Sequence, residues 1–518
     1  MVEAAAAIQQ GEQTPTQILE QCLQRQREIA CLNAFVTTME TAALAQAAAA
    51  QGTAGGRPLH GIPIAVKDNF CMAGVRTTAS SRMLADFVPP YSATAVARLE
   101  AAGAVVVGKT NMDEFGMGSA TLFSHFGETV SPWSPPSSSQ SDGLRLTAGG
   151  SSGGSAVAVA TGACLAALGS DTGGSVRQPA ALCGLVGLKP SYGRISRHGL
   201  IAYASSLDCP GLLTRTVADA ALVLDVVAGP DLLGDSTCLD RPHQPCFTEA
   251  MQAVGLNCSL RGLKVGLPAE FGVREFEASM VTAWEEGARL LRDAGAEVVP
   301  VSIPSIPLAL PAYFVIACAE ASSNLARYDG IRYGHRGSRG GSCSTPESES
   351  EAEDQGALHA FITASRSEGF GPEVQRRILA GCRVLSARTY SAYYEKALAA
   401  RVRIRQDMAQ ALSQVDVLLT PVTPSGPFPL TTPAEPAALM LNDVMTVPAS
   451  LAGLPAVSVP VAVVPSSLAA DVPVPLGLQL IGRPLGEREL LLVARALEVR
   501  CDFARQIPDY VLKGMRRL

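Results

Sequence analysis

Glycine and serine are concentrated in two short clusters, at 149–155 and 172–175, within AGGSSGGSAVAVATGACLAALGSDTGGS. A serine hydroxyl becomes an effective nucleophile when a neighbouring base accepts its proton. Glycines beside a serine let backbone N–H groups approach a substrate atom closely, and such groups can form an oxyanion hole. The clusters therefore predict nucleophilic catalysis at serine. A flexible linker is the alternative, and it is disfavoured because uncharged, core-like sequence flanks both clusters.

The base for such a serine is expected to be a lysine. None of the six histidines lies in a recognisable triad motif: His60, His125, His198, His243, His335 and His359. Lys67 ends the apolar run PIAVK and is followed by Asp68 and Asn69. Burial in a low-dielectric site lowers the pKa of a lysine toward neutrality. Lys67 is therefore a candidate general base, although a lone lysine at a strand end is more often solvated.

The elements that must position these residues follow an α/β pattern. Periodic helices over 93–102, 282–294 and 401–412 each precede an apolar strand, at 104–107, 297–301 and 415–419. Strands are also predicted at 61–67, 456–464 and 477–481, a closing helix at 487–499, and a first helix from Thr14-Pro15. The uncharged run between the two clusters suits one helix buried on all sides. This alternation predicts an α/β sheet protein.

One motif is rejected. Residues 103–110, GAVVVGKT, satisfy the phosphate-binding loop pattern GxxxxGK[ST]. The interior of the motif consists of Ala and three β-branched valines, which favour a strand, and the predicted helix precedes the motif instead of following it. We therefore predict a strand here and no nucleotide site.

Composition limits the remaining classes. The chain has 518 residues, of which 47% are hydrophobic and 17% are charged, and its net charge is −6. That balance argues against nonspecific nucleic-acid binding, which needs a basic surface. The thirteen cysteines show no zinc spacing and are expected to be reduced and buried, as for Cys164, Cys183 and Cys318. No metal site, no targeting segment and no membrane span of about 18 apolar residues is expected.

Two stretches are expected to be mobile inserts within a single domain over 1–518. Residues 134–144 are rich in proline and serine, and residues 337–354 are low in complexity and acidic toward their end. Neither stretch can bury enough apolar surface to offset the entropy of ordering.

The longest recognisable segments, GGSSGGSAVAVATG and GSDTGGSVRQPAALCGLVGLKPSYGRIS together with PIAVKDN, resemble the amidase signature family. The resemblance implies an α/β fold with a mixed β-sheet core flanked by helices on both faces. It further implies a Ser–cis-Ser–Lys triad, with Ser175 as the nucleophile, Ser151 as the bridging serine after a non-proline cis peptide, and Lys67 as the general base. The implied oxyanion donors are the N–H groups of Thr172, Gly173, Gly174 and Ser175.

Three further segments resemble one branch of that family, the A subunits of glutamyl-tRNA(Gln) amidotransferases. They are GKTNMDEFGMGS at 108–119, EASSNLARYDGIRYG at 320–334 and NDVMTVPASLAGLPAVSVP at 442–460. The resemblance implies that Tyr313, Arg377 and Asp443 bind glutamine, since a guanidinium can hold the α-carboxylate and a carboxylate the α-ammonium. The implied function is a glutaminase subunit that supplies ammonia for converting Glu-tRNA(Gln) to Gln-tRNA(Gln).

The same resemblance implies partners. A B subunit would use ATP and magnesium and bind most of the Glu-tRNA(Gln), a C subunit would complete the heterotrimer, and this chain would carry no cofactor. The alternative is a free-standing amidase acting on small aliphatic amides, in which Arg377 and Asp443 would not contact substrate. The inserts indicate the chloroplast stroma or mitochondrial matrix if the protein is eukaryotic, and otherwise the bacterial cytoplasm.

Overall fold

A single eleven-stranded sheet runs through the protein. The computed structural model describes residues 1–51, 56–135, 143–240, 247–254, 258–337, 351–430, 436–508 and 511. The strands are β1 Phe35–Thr38, β2 Pro63–Lys67, β3 Val105–Thr110, β4 Ala166–Asp171, β5 Val186–Lys189, β6 Cys209–Thr214, β7 Lys264–Pro268, β8 Glu297–Val301, β9 Val417–Pro421, β10 Ala456–Pro465 and β11 Pro473–Gly482. Their order across the sheet is β1-β3-β2-β4-β6-β5-β10-β11-β9-β7-β8.

Sixteen helices lie among the described residues. They are α1 Val2–Gln10, α2 Pro15–Glu28, α3 Glu40–Gln51, α4 Thr94–Ala101, α5 Gly153–Thr161, α6 Arg177–Cys183, α7 Val217–Val227, α8 Phe247–Val254, α9 Ala278–Asp293, α10 Ala309–Asn324, α11 Glu351–Gly369, α12 Pro372–Leu385, α13 Tyr390–Gln414, α14 Pro436–Leu441, α15 Val447–Ala452 and α16 Glu487–Cys501.

Helices cover both faces of the sheet, as predicted. Successive residues of β2 alternate between two apolar cores. Ile64 and Val66 pack in a core with α4, α7 and α16, whereas Ala65 packs in a second core with α2, α3 and α5. The sheet is mixed: β2 pairs in parallel with β3 and β4, while β6 pairs antiparallel with both β4 and β5. The predicted fold class is therefore confirmed.

The parallel pairing of β2 with β4 brings the two catalytic segments together. Val66 pairs with Leu168, so Lys67 at the end of β2 meets the carboxyl end of β4. The chain leaves β4 directly into the second glycine–serine cluster. A lysine and a serine that lie about a hundred residues apart in sequence are thus adjacent at one edge of the sheet.

Most predicted elements are present, and β3, β10 and β11 are longer than predicted. The capping box at Thr14 begins α2, and the rejected phosphate-loop motif ends in β3. We predicted a single helix between the two serine clusters, and the second half of that prediction is wrong. Gly162 adopts the left-handed conformation and ends α5, after which 166–171 form β4. The run is short-chained and apolar throughout, so its composition suits a buried strand as well as a buried helix.

The described part of the chain includes one helical segment, Ile306–Arg327, that is long and apolar enough to cross a membrane. The prediction concerned an uninterrupted apolar run of about 18 residues, and Glu320 interrupts this segment before that length is reached. Half of its apolar window is buried inside the protein, and α10 packs against α12 and α13. Residues 136–142 and 338–350, the centres of the two predicted inserts, lie outside the described residues.

Candidate active site

The amine of Lys67 is fully buried at the end of β2 and is surrounded by serine hydroxyls. Its Nζ donates to Ser151 Oγ at 2.7 Å, to Ser152 Oγ at 2.8 Å and to Ser170 Oγ at 2.9 Å. The Ser170 oxygen also accepts from Asn69 Nδ2 at 2.9 Å. The predicted lysine and bridging serine are therefore in direct contact.

Burial lowers the pKa of Lys67 to about 7. Loss of hydration penalises the ammonium form most, and the carboxylates of Asp113, Asp171 and Asp208 oppose that effect from a distance. Every hydrogen-bond acceptor around Nζ in the described structure is neutral. A substantial share of Lys67 is thus unprotonated at neutral pH and able to accept a proton.

The bridging serine lies in a tightly packed turn. The Gly150–Ser151 peptide is cis, as the family resemblance implies. A Cβ atom on Gly150 would lie 2.2 Å from Asp113 Oδ2, so only glycine fits at this position. The N–H of Ser152 donates to the carbonyl oxygen of Ser175 at 3.2 Å, which ties the two serine clusters together.

Ser175 lies in the loop between β4 and α6, and a buried ion pair fixes that loop. Both carboxylate oxygens of Asp171 accept from the Arg177 guanidinium, at 2.9 and 2.8 Å, and Oδ2 also accepts from the N–H of Val176 at 3.2 Å. The Arg177 side chain donates further to Gln479 Oε1 at 2.6 Å. The segment around Ser175 is thereby attached to the centre of the sheet.

The predicted oxyanion loop presents unpaired donors. Within the part of the chain that the structure describes, the N–H groups of Gly173, Gly174 and Ser175 donate to no protein acceptor. Thr446 Oγ1 donates to the carbonyl oxygen of Gly173 at 2.6 Å and fixes the orientation of that peptide. Thr172 is anchored by its hydroxyl, which donates to Asp208 at 2.7 Å. Donors held in this way can stabilise a developing oxyanion.

Arg377 is buried on α12 with two of its nitrogens bound. Nε donates to Glu373 Oε1 at 2.6 Å, and Nη1 donates to the hydroxyl of Tyr203 at 2.7 Å. The guanidinium also lies over the Phe314 ring, 5.4 Å from its centroid. Nη2 donates to no described protein acceptor, so one edge of this arginine is available for a carboxylate.

Asp443 and Tyr313 lie between Arg377 and the serine clusters. Asp443 Oδ2 accepts from Ser119 Oγ at 2.6 Å, and burial raises the pKa of the Asp443 carboxyl to about 7. The ring of Tyr313 on α10 lies against Gly173, where a Cβ atom would be 2.6 Å from the ring. The nine residues proposed from sequence therefore gather around one centre, and their roles stay predictions.

Sequence reasoning missed several residues of this centre. Ser170 contacts Lys67 directly, and Asn69 contacts the same Ser170 hydroxyl. Tyr203 contacts Arg377. The carboxylate of Asp113 accepts from four successive backbone N–H groups, those of residues 120–123. Ser170 directly follows the apolar run LAALG, a signal that could have identified it, whereas Asp113 stands among other polar residues in GKTNMDEFGMGS and gave no such signal.

The arrangement can deprotonate a serine and stabilise an oxyanion. Two buried ionisable side chains, Arg377 and Asp443, lie beside it. No cluster of histidine, cysteine or acidic residues suited to a metal ion occurs among the described residues. The chemistry that this centre supports is acyl transfer from an amide or ester to serine.

Comparison with known proteins agrees with this geometry. The "Amidase" family model matches residues 17–491. The chain is 47% identical over 511 residues to the A subunit of the glutamyl-tRNA(Gln) amidotransferase of Cereibacter sphaeroides, covering 98% of each chain. The corresponding protein of Thermotoga maritima has a solved structure with 39% identity and a TM-score of 0.67, covering 85% of this chain and 83% of that one. The peptide amidase of Stenotrophomonas maltophilia is 29% identical with a TM-score of 0.76, covering 97% of this chain and 96% of that one.

Proposed function

Because this chain belongs to the amidase family, we propose that it is the glutamine-hydrolysing A subunit of an amidotransferase that converts Glu-tRNA(Gln) to Gln-tRNA(Gln). One observation carries the proposal: a buried arginine and a buried aspartate, Arg377 and Asp443, lie beside the lysine–serine centre. A guanidinium and a carboxylate at one site suit the α-carboxylate and α-ammonium groups of a free amino acid. Glutamine and asparagine are the amino acids whose side chains would present an amide to the serine, and the similarity to A subunits of glutamyl-tRNA(Gln) amidotransferases favours glutamine.

Proton transfer begins at Lys67. In its neutral form, Lys67 accepts the proton of Ser151, and Ser151 accepts the proton of Ser175 as the Ser175 oxygen attacks the side-chain amide carbon. The backbone N–H groups at 172–175 hold the oxygen of the tetrahedral intermediate. The contact of 2.7 Å between Lys67 Nζ and Ser151 Oγ supports the first of these transfers.

Ammonia leaves when the carbon–nitrogen bond breaks. The proton returns from Lys67 through Ser151 to the departing nitrogen, and a γ-glutamyl ester remains on Ser175. Water then attacks this ester, with the same two side chains accepting its proton, and glutamate is released while Ser175 recovers its hydrogen. Tyr313 packs along the substrate, and Asp443 binds the α-ammonium group in its ionised form.

The ammonia is used by a partner in the complex. The chain functions within a multi-subunit amidotransferase, in which a B subunit uses ATP and magnesium to activate the glutamyl group and binds the tRNA, and a C subunit completes the assembly. The net charge of −6 supports this division, because the charge balance of this chain does not favour tRNA binding on its own.

A free-standing amidase is the second candidate. The contact of Arg377 with Glu373 favours it, since a guanidinium already paired with a carboxylate has less need of a substrate carboxylate. The similarity to a peptide amidase is compatible with the same serine–lysine chemistry.

Substrate choice separates the two candidates. Arg377→Ala is expected to raise the KM for glutamine sharply, because the substrate carboxylate loses its charged partner. The same variant should change kcat/KM for the neutral amide propionamide by much less. Equal losses on both substrates would favour the free-standing amidase.

Dependence on partners is the complementary test. Ammonia release from glutamine is measured for the chain alone, with B- and C-type subunits, and with both subunits plus Glu-tRNA(Gln) and ATP. We expect weak release by the chain alone and stepwise increases in the complex, as partner binding favours the competent state. Full activity on unrelated amides without binding to either partner would contradict the proposal.

A further inference from the structure

Glu114 connects two parts of the molecule through its buried carboxylate. It lies in the short helical turn Glu114–Gly116 after β3. Oε1 accepts from Ser81 Oγ, and Oε2 accepts from the N–H of Gly371 at 2.8 Å. The side chain is buried away from water, and this burial raises the pKa of the carboxyl to about 7.

The contact with Gly371 is made at the start of α12. Gly371 directly precedes Pro372, the first residue of the helix, and a negative charge is favourable at a helix N-terminus. A Cβ atom on Gly371 would lie 2.4 Å from Glu114 Oε2, so glycine is what lets the carboxylate approach. Arg377 follows within the first two turns of the same helix.

The other side of segment 113–116 contacts the serine centre, the group that contains Lys67, Ser151 and Ser175. Asp113, adjacent to Glu114, accepts from the backbone of 120–123. Thr121 in turn donates to the Gly149 carbonyl at 2.7 Å, just before the cis peptide at Ser151. A Cβ atom on Gly116 would lie 3.7 Å from Ser151 Oγ. Residues 113–116 therefore contact both the serine centre and the helix that carries Arg377.

We propose that Glu114 is a positioning residue that sets the distance between Arg377 and the serine centre and so selects glutamine over the shorter asparagine. This inference rests on the proposed function, since it takes Arg377 as the group that binds the substrate carboxylate. Asparagine has one methylene fewer, so with its carboxylate on Arg377 its amide carbon stops short of Ser175. A fixed spacing of this kind can discriminate by roughly 10- to 200-fold per methylene.

Two substitutions break the same contact from opposite sides. Glu114→Ala removes the carboxylate, and Gly371→Ala displaces it while the backbone of Gly371, at φ −72°, accepts alanine. Both are expected to raise the KM for glutamine and to lower the glutamine-to-asparagine ratio of kcat/KM by roughly 10-fold. Both should leave kcat/KM for propionamide within about twofold of the parent value. Glu114→Gln keeps an acceptor for Gly371 and should behave like the parent.

Glu487→Ala is the matched control. Glu487 is also buried at the start of a helix and accepts a backbone N–H, that of Ser191 at 2.9 Å. Its loss should reduce stability without changing the glutamine-to-asparagine ratio. The proposal is overturned if Glu114→Ala and Gly371→Ala lower all three activities by one factor, or leave the ratio unchanged. If Glu114→Ala does not fold, the glutamine-to-asparagine ratio of kcat/KM in Gly371→Ala tests the proposal.

The parallel measurement on Arg377→Ala keeps the two proposals apart. If Arg377→Ala impairs glutamine but not propionamide, while the Glu114 and Gly371 variants leave selectivity intact, only the positioning role fails. If Arg377→Ala impairs both substrates equally, the proposed function itself fails.

Discussion

Two lysines lie on neighbouring parallel strands, both fully buried, and their side-chain amines have different surroundings. Lys67 ends β2, and Lys109 in β3 pairs in register with Val66. Lys67 donates to serine hydroxyls, whereas the Nζ of Lys109 lies 3.2 Å from Asp68 Oδ1. Burial lowers the pKa of both amines, but the carboxylate beside Lys109 favours its charged form. We therefore expect the base to be the buried lysine that has no paired carboxylate, which is Lys67.

The largest expected effect is on catalysis by Lys67. Lys67→Met removes the amine, and glutamine hydrolysis should fall by roughly 10²- to 10⁴-fold or more, as expected for a lost general base. Lys109→Met should retain the parent turnover number for each folded molecule. Steady-state ammonia release, with folding checked by circular dichroism, compares the two. Comparable losses of turnover in both variants would remove the distinction between the lysines.

The free energy of unfolding should fall more in Lys109→Met than in Lys67→Met, the reverse of the order expected for activity. Lys109→Met leaves Asp68 buried without its charged partner, and the free energy of unfolding should fall by about 3–5 kcal/mol. Lys67→Met leaves only hydroxyls, which can reorient, so the loss should stay below about 1 kcal/mol. Denaturant unfolding measures both. Adding Asp68→Asn to Lys109→Met should recover part of the stability; no recovery would show that the ion pair is not the cause.

The pH profile should report Lys67 and not Lys109. With a pKa of about 7, the neutral form of Lys67 increases as the pH rises through 7, so kcat/KM for propionamide should rise between about pH 6 and pH 8. Asp443, whose pKa is also about 7, must be ionised for glutamine, which makes the rise for glutamine steeper. A profile that is flat or falls over this range would contradict the assignment of Lys67 as the base.

The smallest expected effect comes from the hydroxyls that orient each lysine. Ser170→Ala removes one acceptor from Lys67 and the partner of Asn69. A lost hydrogen bond of about 1 kcal/mol corresponds to a decrease in kcat of roughly fivefold with little change in KM. Thr77→Ala removes the equivalent hydroxyl from Lys109, which lies 2.8 Å from its Nζ, and should not change kcat. Equal decreases in kcat in both variants would indicate that each substitution destabilises the sheet instead of affecting one lysine.

Local sequence patterns predicted much of the fold. The helix-then-strand alternation around Gly103 and Gly295 gave α4, β3, α9 and β8, because a glycine ends each helix and β-branched residues follow. The run after Gly162 was misassigned because alanine-rich apolar sequence fits a buried helix and a buried strand alike. Pairing with β2 and β6 decides that ambiguity, and such pairing is not encoded locally.

In the candidate site, too, some features follow from local sequence and others depend on long-range contacts. Lys67, Ser151 and Ser175 each lie in a contiguous motif, so all three could be proposed as site residues from the sequence. The contacts of Glu114 with Gly371 and of Arg377 with Tyr203 join residues far apart along the chain. No local periodicity predicts which distant backbone meets a given side chain, so these contacts required the structure.

The most direct test of the central claim is to trap the acyl-enzyme. The chain, in complex with its partner subunits, is mixed with glutamine, quenched in acid during the first turnovers, digested, and analysed by mass spectrometry. The account predicts a γ-glutamyl ester on the peptide that contains Ser175, and no ester when Ser175→Ala is introduced. A γ-glutamyl group on any other residue, or the same adduct in the Ser175→Ala variant, would contradict it.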